Sequence, residues 1–338
     1  MGLVTLLAIE TSCDETSAAV VRGREVLSNV VASQIEMHQK WGGVVPEAAA
    51  RAHVESILPV IEEALSTAGV TPEDLEGLAV TNRPGLVGAL SVGVTAAKAM
   101  ALRLRIPLLG VHHLEGHILS VLSLPDEIPF PHVCLVVSGG HTELVKVDAI
   151  GAYTILGQTL DDAAGEAFDK SARLLGLGYP GGRAIQELAQ CGNPKRYSLP
   201  QGLKGDTLDF SFSGLKTAMS RLVENEGKNL NPADAAASLQ ATLVKVLTER
   251  AVRAAEHHGA KALTLVGGVA ANLALRESLR EAAERRGLVF LTPPVALCTD
   301  NAAMIGLAAH PRLMAGESDG FALDCLPNSD LPLPIRQS

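Results

Sequence analysis

The chain has 338 residues, of which 47% are hydrophobic, 3% are aromatic and 19% are charged. Its 28 lysine and arginine residues against 37 aspartate and glutamate residues give a net charge of −9, which disfavours broad non-specific binding to nucleic acid because phosphate neutralisation needs a basic face. The length exceeds what one hydrophobic core ordinarily covers and favours two globular domains.

Strands and helices alternate in the N-terminal part of the chain. The predicted strands are residues 3–9, 18–21 and 75–81. Pro46 opens a helix that Gly69 ends, and a second apolar helix follows a glycine turn and reaches Leu104. Strand, glycine turn and helix in succession are typical of an α/β protein.

Residues 111–117 contain three of the chain's ten histidines. If residues 114–122 are helical, His113 and His117 lie on one face at a spacing that chelates metals. A lone histidine would more simply cap or pack a helix, but this pair favours a metal site. At about 100° per residue, Glu115 points about 180° away from that face, whereas a zinc peptidase needs its base beside the first ligand. The peptidase interpretation is therefore disfavoured.

The opening pattern repeats in the second half of the chain. Residues 132–137 and 144–147 are predicted strands around a small-residue loop, so a hairpin heads each half and suggests two related lobes. The Gly-Gly turn within that loop is a common phosphate-binding feature, although it is weak evidence alone. A predicted strand at residues 262–266 is followed by a double glycine and a helix start, which together predict a nucleotide-sized notch.

Three acidic positions have simple local explanations. Asp161 and Asp162 would cap the helix that follows them, which leaves Asp169 free for another role. Asp300 precedes a predicted helix at residues 302–309, and the local sequence makes it the N-cap of that helix.

The cysteine pattern and the termini predict a cytoplasmic protein. The five cysteines are Cys13, Cys134, Cys191, Cys298 and Cys325. They are scattered without a Cys-x-x-Cys pair, which indicates reduced thiols rather than a disulfide framework. The N-terminus lacks a basic region and its apolar run stops at Glu10, so no signal peptide is expected. No window is expected to reach the length of a membrane span.

Nine segments carry a more specific pattern: residues 9–16, 42–47, 112–117, 137–142, 161–170, 179–182, 210–216, 267–272 and 299–301. Together they resemble the TsaD (YgjD/Gcp) family of tRNA N6-adenosine threonylcarbamoyltransferases, over essentially the whole chain. Val137 before Ser138 and the complete segment at residues 211–216 favour the bacterial form. Two positions depart from the pattern: Arg83 stands where many relatives have glycine, and Gln186 where some have glutamate.

The resemblance implies an α/β fold of the two-lobed actin/Hsp70/sugar-kinase (ASKHA) type with duplicated lobes. The expected N-terminal lobe is residues 1–112, with a C-terminal helix near residues 301–320 packing back on it. Residues 113–300 are then expected to carry most of the adenylate and metal site. The implied reaction moves the threonylcarbamoyl group of threonylcarbamoyl-adenylate to N6 of the adenosine next to the anticodon, in tRNAs that read codons starting with A, and releases AMP.

The same resemblance implies ligands and partners. One divalent metal per chain would be held by His113, His117 and Asp300, a set that suits Fe(II), with zinc also possible. It would act as a Lewis acid and template rather than as a redox centre. The adenylate site would be lined by Val136, Val137, Ser138, Gly139, Gly140, Asp169, Gly182 and Asn272. The implied partners are the tRNA substrate, a TsaB-like paralogue that forms a heterodimer, and a TsaE-like ATPase.

Three other classes of protein remain as alternatives. An ASKHA-type small-molecule kinase or ATPase fits the two lobes but has no use for the His113/His117 pair. A metalloendopeptidase is disfavoured by the direction of Glu115. A non-catalytic scaffold predicts loss of the histidine motif, which is intact here. No residue is a convincing general base, so positioning and charge stabilisation are expected to carry the reaction.

Overall fold

The computed structural model describes residues 3–41 and 43–331, so Gly42 of the second resemblance segment lies outside them. Within the described residues the chain forms two compact units. The first comprises residues 3–127 and 300–331, and the second comprises residues 128–299. All five cysteines are free thiols, as expected from their spacing.

Ten strands among the described residues form two five-stranded sheets. In chain order they are β1 (Thr5–Glu10), β2 (Glu15–Arg22), β3 (Glu25–Ser33), β4 (Gly77–Arg83), β5 (Leu108–His112), β6 (His132–Val137), β7 (Thr142–Ala149), β8 (Ala152–Gln158), β9 (Ala262–Val266) and β10 (Val289–Leu291). The first sheet has the order β3-β2-β1-β4-β5 and the second the order β8-β7-β6-β9-β10. In each, three antiparallel strands are continued by two parallel ones. The matching order confirms the predicted duplication.

Helices connect and cover these strands. In chain order they are α1 (Ile35–Gln39), α2 (Pro46–Ala68), α3 (Val87–Leu104), α4 (His113–Leu119), α5 (Ala164–Leu174), α6 (Gly181–Ala189), α7 (Ser213–Glu226), α8 (Pro232–His257), α9 (Leu273–Glu284) and α10 (Ala302–Met314). Short 3-10 helices span Pro72–Asp74, Ser120–Ser123, Gly227–Asn229, Gly268–Ala271, Val295–Leu297 and Gly320–Ala322. The start of α2 at Pro46 and its end before Gly69 are as predicted.

The sequence pattern does not predict β3 or β8, the third strand of each antiparallel set. Both are only partly buried, with a single fully buried residue in β3 and two in β8. A strand gives a continuous apolar run when both faces of its sheet are covered, and an alternating apolar pattern when one face is covered. These two outer strands therefore lack the signal that identifies β1, β6 and β9.

Both faces of the first sheet are covered by helices, which explains why every residue of β1 is buried. Leu7 and Ile9 belong to the core formed with α2 and α3, and α10 packs against β1 and β2. By length and composition α3 could cross a membrane, so the expectation that no segment reaches such a length is wrong. Its buried side, which includes Val94 and Ala97, packs in this core.

The two units divide between Glu127 and Ile128 and again between Thr299 and Asp300. The sequence places these boundaries after residue 112 and after residue 300. The difference arises because α4 packs against α10, which itself lies on the first sheet. The helix that carries the histidines and the residue Asp300 therefore both belong to the first unit.

Asp161 anchors the start of α7, so its predicted role as a cap of α5 is wrong. Its Oδ1 accepts hydrogen bonds from the backbone amides of Phe212, at 2.8 Å, and Ser213, at 3.2 Å. Its Oδ2 accepts from the hydroxyls of Ser211, at 2.6 Å, and Ser213, at 2.7 Å. Burial opposes ionisation, but these four hydrogen bonds outweigh it and lower the pKa of Asp161 to about 2.

Asp161→Ala should lower the free energy of unfolding by about 1 kcal/mol at neutral pH, a common loss when a helix N-terminus loses its side-chain acceptor. Because the folded pKa of about 2 lies below the ordinary 3.8, this stabilisation is present above about pH 4 and is lost as the pH falls towards 2. Urea unfolding at a series of pH values measures the difference between wild type and variant. Asp206→Ala, which removes a carboxylate that is 97% exposed, is the control. A difference that does not change with pH would contradict this origin.

Candidate metal centre

The junction of β5 and α4 positions the histidines. β5 is wholly buried and runs parallel to β4. His112 is the N-cap of α4, and its Nδ1 accepts a hydrogen bond from the backbone amide of Leu114 at 3.2 Å. His113 and His117 follow within α4 and are both buried, so the predicted helical spacing is confirmed.

Gly116 allows α4 to approach α10 closely. A Cβ atom at Gly116 would lie 2.8 Å from Cδ1 of Ile305 and 3.2 Å from Cγ of Met304. The N-cap of α10 is Asn301, whose side chain accepts from the backbone amide of Met304 at 3.1 Å. The predicted N-cap role of Asp300 is therefore wrong, and its carboxylate lies against the histidines instead.

Asp300, His113 and His117 form one ligand group. Oδ1 of Asp300 lies 3.0 Å from Nε2 of His117 and 3.5 Å from Nε2 of His113. One ligand atom from each residue lies within 4.8 Å of the other two, and the two imidazole rings meet edge to face. Glu115 is not part of this group. Two imidazoles and one carboxylate form a donor set that iron and zinc sites use with further positions open.

Glu10 contacts this ligand group, and the sequence analysis does not assign it. It ends β1 and is 1% exposed. Its Oε2 lies 3.1 Å from Nδ1 of His113 and accepts the hydroxyl of Thr81 at 2.5 Å. Its Oε1 accepts the backbone amide of Ser12 at 2.5 Å. A carboxylate can only accept, so Nδ1 of His113 carries a proton, and Nε2, which faces Asp300, is the ring nitrogen that would bind a cation in place of its own proton.

The charges of this site favour a bound cation. Burial opposes protonation of His113, but the carboxylates of Asp300 and Glu10 outweigh it and raise the pKa of His113 to about 9. Burial, together with the negative charges of Asp300 and Asp14, raises the pKa of Glu15 to about 9. Carboxylates crowded in this way need a proton or a cation to balance them. The residues present therefore fit a divalent metal.

The predicted adenylate residues of the second unit begin at the end of β6, which contains Val136 and Val137. The backbone amide of Ser138 donates to the carbonyl of His141 at 2.8 Å, and the amide of His141 donates to Oγ of Ser138 at 3.1 Å. This turn leaves Gly139 and Gly140 exposed. Their backbone amides thus lie at an accessible edge, where an anion can reach them.

Gly267 follows β9 and allows it to pass close to the end of β6. It has a φ of 92°, and a Cβ atom there would lie 2.4 Å from the carbonyl oxygen of Val137. Only glycine combines that conformation with that approach. The predicted notch after β9 therefore lies beside the turn at Ser138.

Asp169 and Gly182 lie where α5 meets α6. Oδ1 of Asp169 accepts the backbone amide of Gly181 at 2.7 Å. Burial raises the pKa of Asp169 more than the amides of Gly181 and Gly182 lower it. One turn further along α6, Oε1 of Gln186 accepts the backbone amide of Leu273 at 2.7 Å. Gln186 therefore ties α6 to the start of α9.

Asn272 is the N-cap of α9. Its Oδ1 accepts the backbone amide of Leu275 at 3.0 Å, and its Nδ2 donates to Oε1 of Gln240 on α8 at 2.9 Å. The amide of Gly165, in the first turn of α5, donates to the carbonyl of Ser138 at 3.3 Å. The turn at Ser138, α5, α6 and α9 thus form a connected set of contacts that brings the predicted adenylate residues into one region of the second unit.

The duplicated units, with their matching strand orders, define a two-lobed α/β protein of the actin/Hsp70/sugar-kinase class. Component A of (R)-2-hydroxyglutaryl-CoA dehydratase from Acidaminococcus fermentans is similar in structure, with a TM-score of 0.56 and 16% identity, covering 92% of this chain and 99% of that one. HypF from T. kodakarensis has a TM-score of 0.65 and 16% identity, covering 93% of this chain and 48% of that one. At these identities the similarity shows the fold alone.

The chain belongs to the TsaD family, tRNA N6-adenosine threonylcarbamoyltransferase, whose family model matches residues 25–307. A curated relative with that name from Acaryochloris marina is 54% identical, covering 96% of this chain and 92% of that protein. Another, from Syntrophotalea carbinolica, is 52% identical, covering 98% and 99%. The predicted resemblance is confirmed.

Proposed function

We propose that this chain is the acyltransferase that moves the threonylcarbamoyl group from threonylcarbamoyl-adenylate to N6 of the adenosine next to the anticodon, in tRNAs that read codons starting with A. The proposal rests above all on the convergence of His113, His117 and Asp300 in a chain of this family. The kinase or ATPase alternative is not favoured, because that chemistry has no use for two histidines and a carboxylate at this position.

His113, His117 and Asp300 would hold one divalent metal per chain. Two imidazoles and one carboxylate with open positions suit Fe(II), and zinc accepts the same donors. When bound, the metal would supply Lewis-acid charge and a template for oxygens of the donor. Glu10 holds the proton of His113 on Nδ1 and thereby keeps Nε2 directed as a ligand.

The second unit would bind the adenylate. The exposed amides of the turn at Ser138 suit its phosphate oxygens. The remaining proposed lining is Val136, Val137, Gly139, Gly140, Asp169, Gly182 and Asn272. In the transfer, N6 forms a bond to the carbamoyl carbon, the bond from that carbon to the phosphate oxygen breaks, and AMP leaves with the electron pair. The amine proton passes to solvent, so the protein's task is positioning and charge stabilisation.

A TsaB-like paralogue, in a heterodimer, and a TsaE-like ATPase would act with this chain in the cytoplasm. The charge of the chain supports a need for help with tRNA. A net charge of −9 and 3% aromatic residues offer little phosphate neutralisation and little base stacking.

We therefore expect the isolated chain to hold unmodified tRNA weakly at physiological salt and to modify it slowly without partners. The measurement is transfer of labelled threonylcarbamoyl from the adenylate to unmodified tRNA, with and without the two partner proteins. tRNA that already carries the modification is the control acceptor. Robust multiple-turnover transfer by the isolated chain would contradict the need for partners. No transfer by the complete set of proteins would contradict the proposed function itself.

A further inference from the structure

A separate cavity of about 490 Å³ lies in the second unit, between the loop that follows α6 and the C-terminal half of α8. Residues 199–205 form its loop side, and Glu249, Arg250 and Arg253 are among the residues on its helix side. Its volume is within the range of about 300–1,000 Å³ for pockets that bind small organic ligands. A single water occupies only about 30 Å³, so the cavity is larger than one ion needs.

The polar lining of this cavity is mainly cationic. Lys204, Arg250 and Arg253 line it together with one carboxylate, that of Glu249. Such a local excess of positive charge contrasts with the chain's net charge of −9. Arginine and lysine side chains in one place are the usual protein groups that bind phosphate.

Arg250 is the unusual member of this group because its guanidinium is buried. The residue is 6% exposed, and its Nη2 donates to the carbonyl of Leu203 at 2.8 Å. The guanidinium carbon lies 5.3 Å from the ring centroid of Phe210. Its Nε is buried without a hydrogen-bond partner among the residues that the structure describes. Buried polar groups are normally paired, so this donor lacks an acceptor.

The electrostatics of Arg250 also favour an anion. Burial and, after it, the positive charge of Arg253 lower the pKa of the Arg250 guanidinium. Arg253 donates from Nη1 to the carbonyl of Gly205 at 3.0 Å. The same Nη1 lies 3.9 Å from Oδ1 of Asp206. Because the Asp206 side chain is 97% exposed, it offsets the positive charge of Arg253 only weakly. An anion bound here would offset both the burial and the mutual repulsion of the arginines.

The cavity is distinct from the proposed adenylate site. Gln240 is the residue of α8 that contacts Asn272. At about 1.5 Å of rise per residue, Arg250 lies about 15 Å further along the axis of α8.

We propose that this cavity binds one ribonucleotide unit of RNA. Lys204, Arg250 and Arg253 hold its phosphate, and Glu249 accepts a hydrogen bond from the ribose 2′-hydroxyl. The carboxylate of Glu249 favours a ribonucleotide over a bare phosphate. It repels an anion unless that anion also carries a hydrogen-bond donor, such as the ribose hydroxyl. The 2′-hydroxyl is also the group by which proteins distinguish RNA from DNA. The inference rests on the proposed function, in which tRNA is the substrate, and makes the cavity a tRNA-positioning site.

The first test is equilibrium binding of labelled, unmodified tRNA by the chain together with its partner proteins, over a range of salt concentrations. Lys204→Ala and Arg253→Ala change exposed or half-buried side chains and should leave folding intact. Each should weaken binding and reduce the slope of log K against log salt by about 1, the loss of one phosphate contact. Arg285→Ala is the matched control, because Arg285 is the C-cap of α9, lies outside the cavity and pairs with Glu281. Slopes in the two cavity variants equal to that of Arg285→Ala would overturn the proposal.

The second test separates RNA from free phosphate. Glu249→Ala, which removes the acceptor, should keep the salt slope of wild type but reduce its preference for the RNA anticodon arm over a DNA of the same sequence. Inorganic phosphate at millimolar concentration should compete only weakly with that RNA. Full competition by inorganic phosphate, or a preference for RNA that Glu249→Ala leaves unchanged, would overturn the ribonucleotide assignment.

Transfer kinetics with the complete set of partner proteins distinguish failure of the cavity assignment from failure of the proposed function. Lys204→Ala and Arg253→Ala should raise the KM for tRNA while kcat stays near that of wild type. If wild type transfers the group and these variants keep its KM, only the cavity assignment fails. If wild type transfers nothing to tRNA, the proposed function fails.

Discussion

Asp300→Asn should abolish bound metal and threonylcarbamoyl transfer together while the fold stays intact. The substitution replaces the carboxylate of the proposed ligand Asp300, which lies 3.0 Å from Nε2 of His117, with a neutral amide. Loss of a direct ligand should lower metal affinity by more than the roughly 10–100-fold that loss of an outer hydrogen-bond partner causes. The N-cap of α10 is Asn301, so the change leaves the helix start untouched.

Glu115→Gln is the matched control for that variant. It makes the same carboxyl-to-amide change on the helix that carries both histidines, at a buried residue outside the ligand group. Bound metal should be retained in this control, whereas a peptidase that used Glu115 as its base would lose hydrolysis. His113→Ala should behave like Asp300→Asn. Elemental analysis and transfer rates of the three variants are measured side by side, with urea unfolding in chelator to compare folding. Normal metal loading in Asp300→Asn would contradict the ligand assignment.

Local periodicity explains how much of the site the sequence predicts. His113 and His117 share a helix, so their spacing alone indicates a common face. Asp300 is 183 residues from His117 along the chain, and only the packing of α4 on α10 brings them together. Spacing carries no information about such a contact, so the local sequence suggests a helix cap there. Only the family resemblance predicts that Asp300 joins the two histidines.

Glu10 shows what local patterns leave out. The apolar run of β1 predicts a buried strand, and Glu10 ends it fully buried. Glutamate is rarely buried unless it is paired, so this position carried a usable signal. Its partners Thr81 and His113 come from β4 and the start of α4, next to β1 only because of the strand order β1-β4-β5. Those pairings are non-local and have no signature in a single stretch of sequence.

The sequence predicts the buried central strands of the fold better than the outer strands and the boundary between the units. Strands β6 and β9 match their predicted bounds because buried parallel neighbours require continuous apolar runs. The half-exposed outer strands β3 and β8 lack such runs. The division between the units was also displaced, because a contact between α4 and α10 decides to which unit the histidines belong. The same periodicity that identifies an element does not say which distant element it packs against.

Glu10→Gln should lower the affinity for Zn²⁺ by about 10–100-fold although it removes no ligand. The neutral amide cannot hold the proton of His113 on Nδ1 as the carboxylate does at 3.1 Å. Thr81→Val is the graded control, because it removes one hydrogen-bond donor to Glu10 but leaves the contact with His113. Its effect on affinity should be smaller. Competition with a chromogenic chelator measures these affinities on metal-free protein.

Unfolding of the metal-free protein gives a second readout of the same contact. The pKa of His113 is raised from 6.5 to about 9, so the charge pair with Glu10 contributes stability that is fully present below about pH 6.5 and is lost as the pH rises through about 9. Glu10→Gln should therefore be less stable than wild type at pH 6, and the two should converge above pH 9. A residue that only filled space would produce a difference independent of pH. Equal Zn²⁺ affinities in wild type and Glu10→Gln would show that His113 is oriented without Glu10.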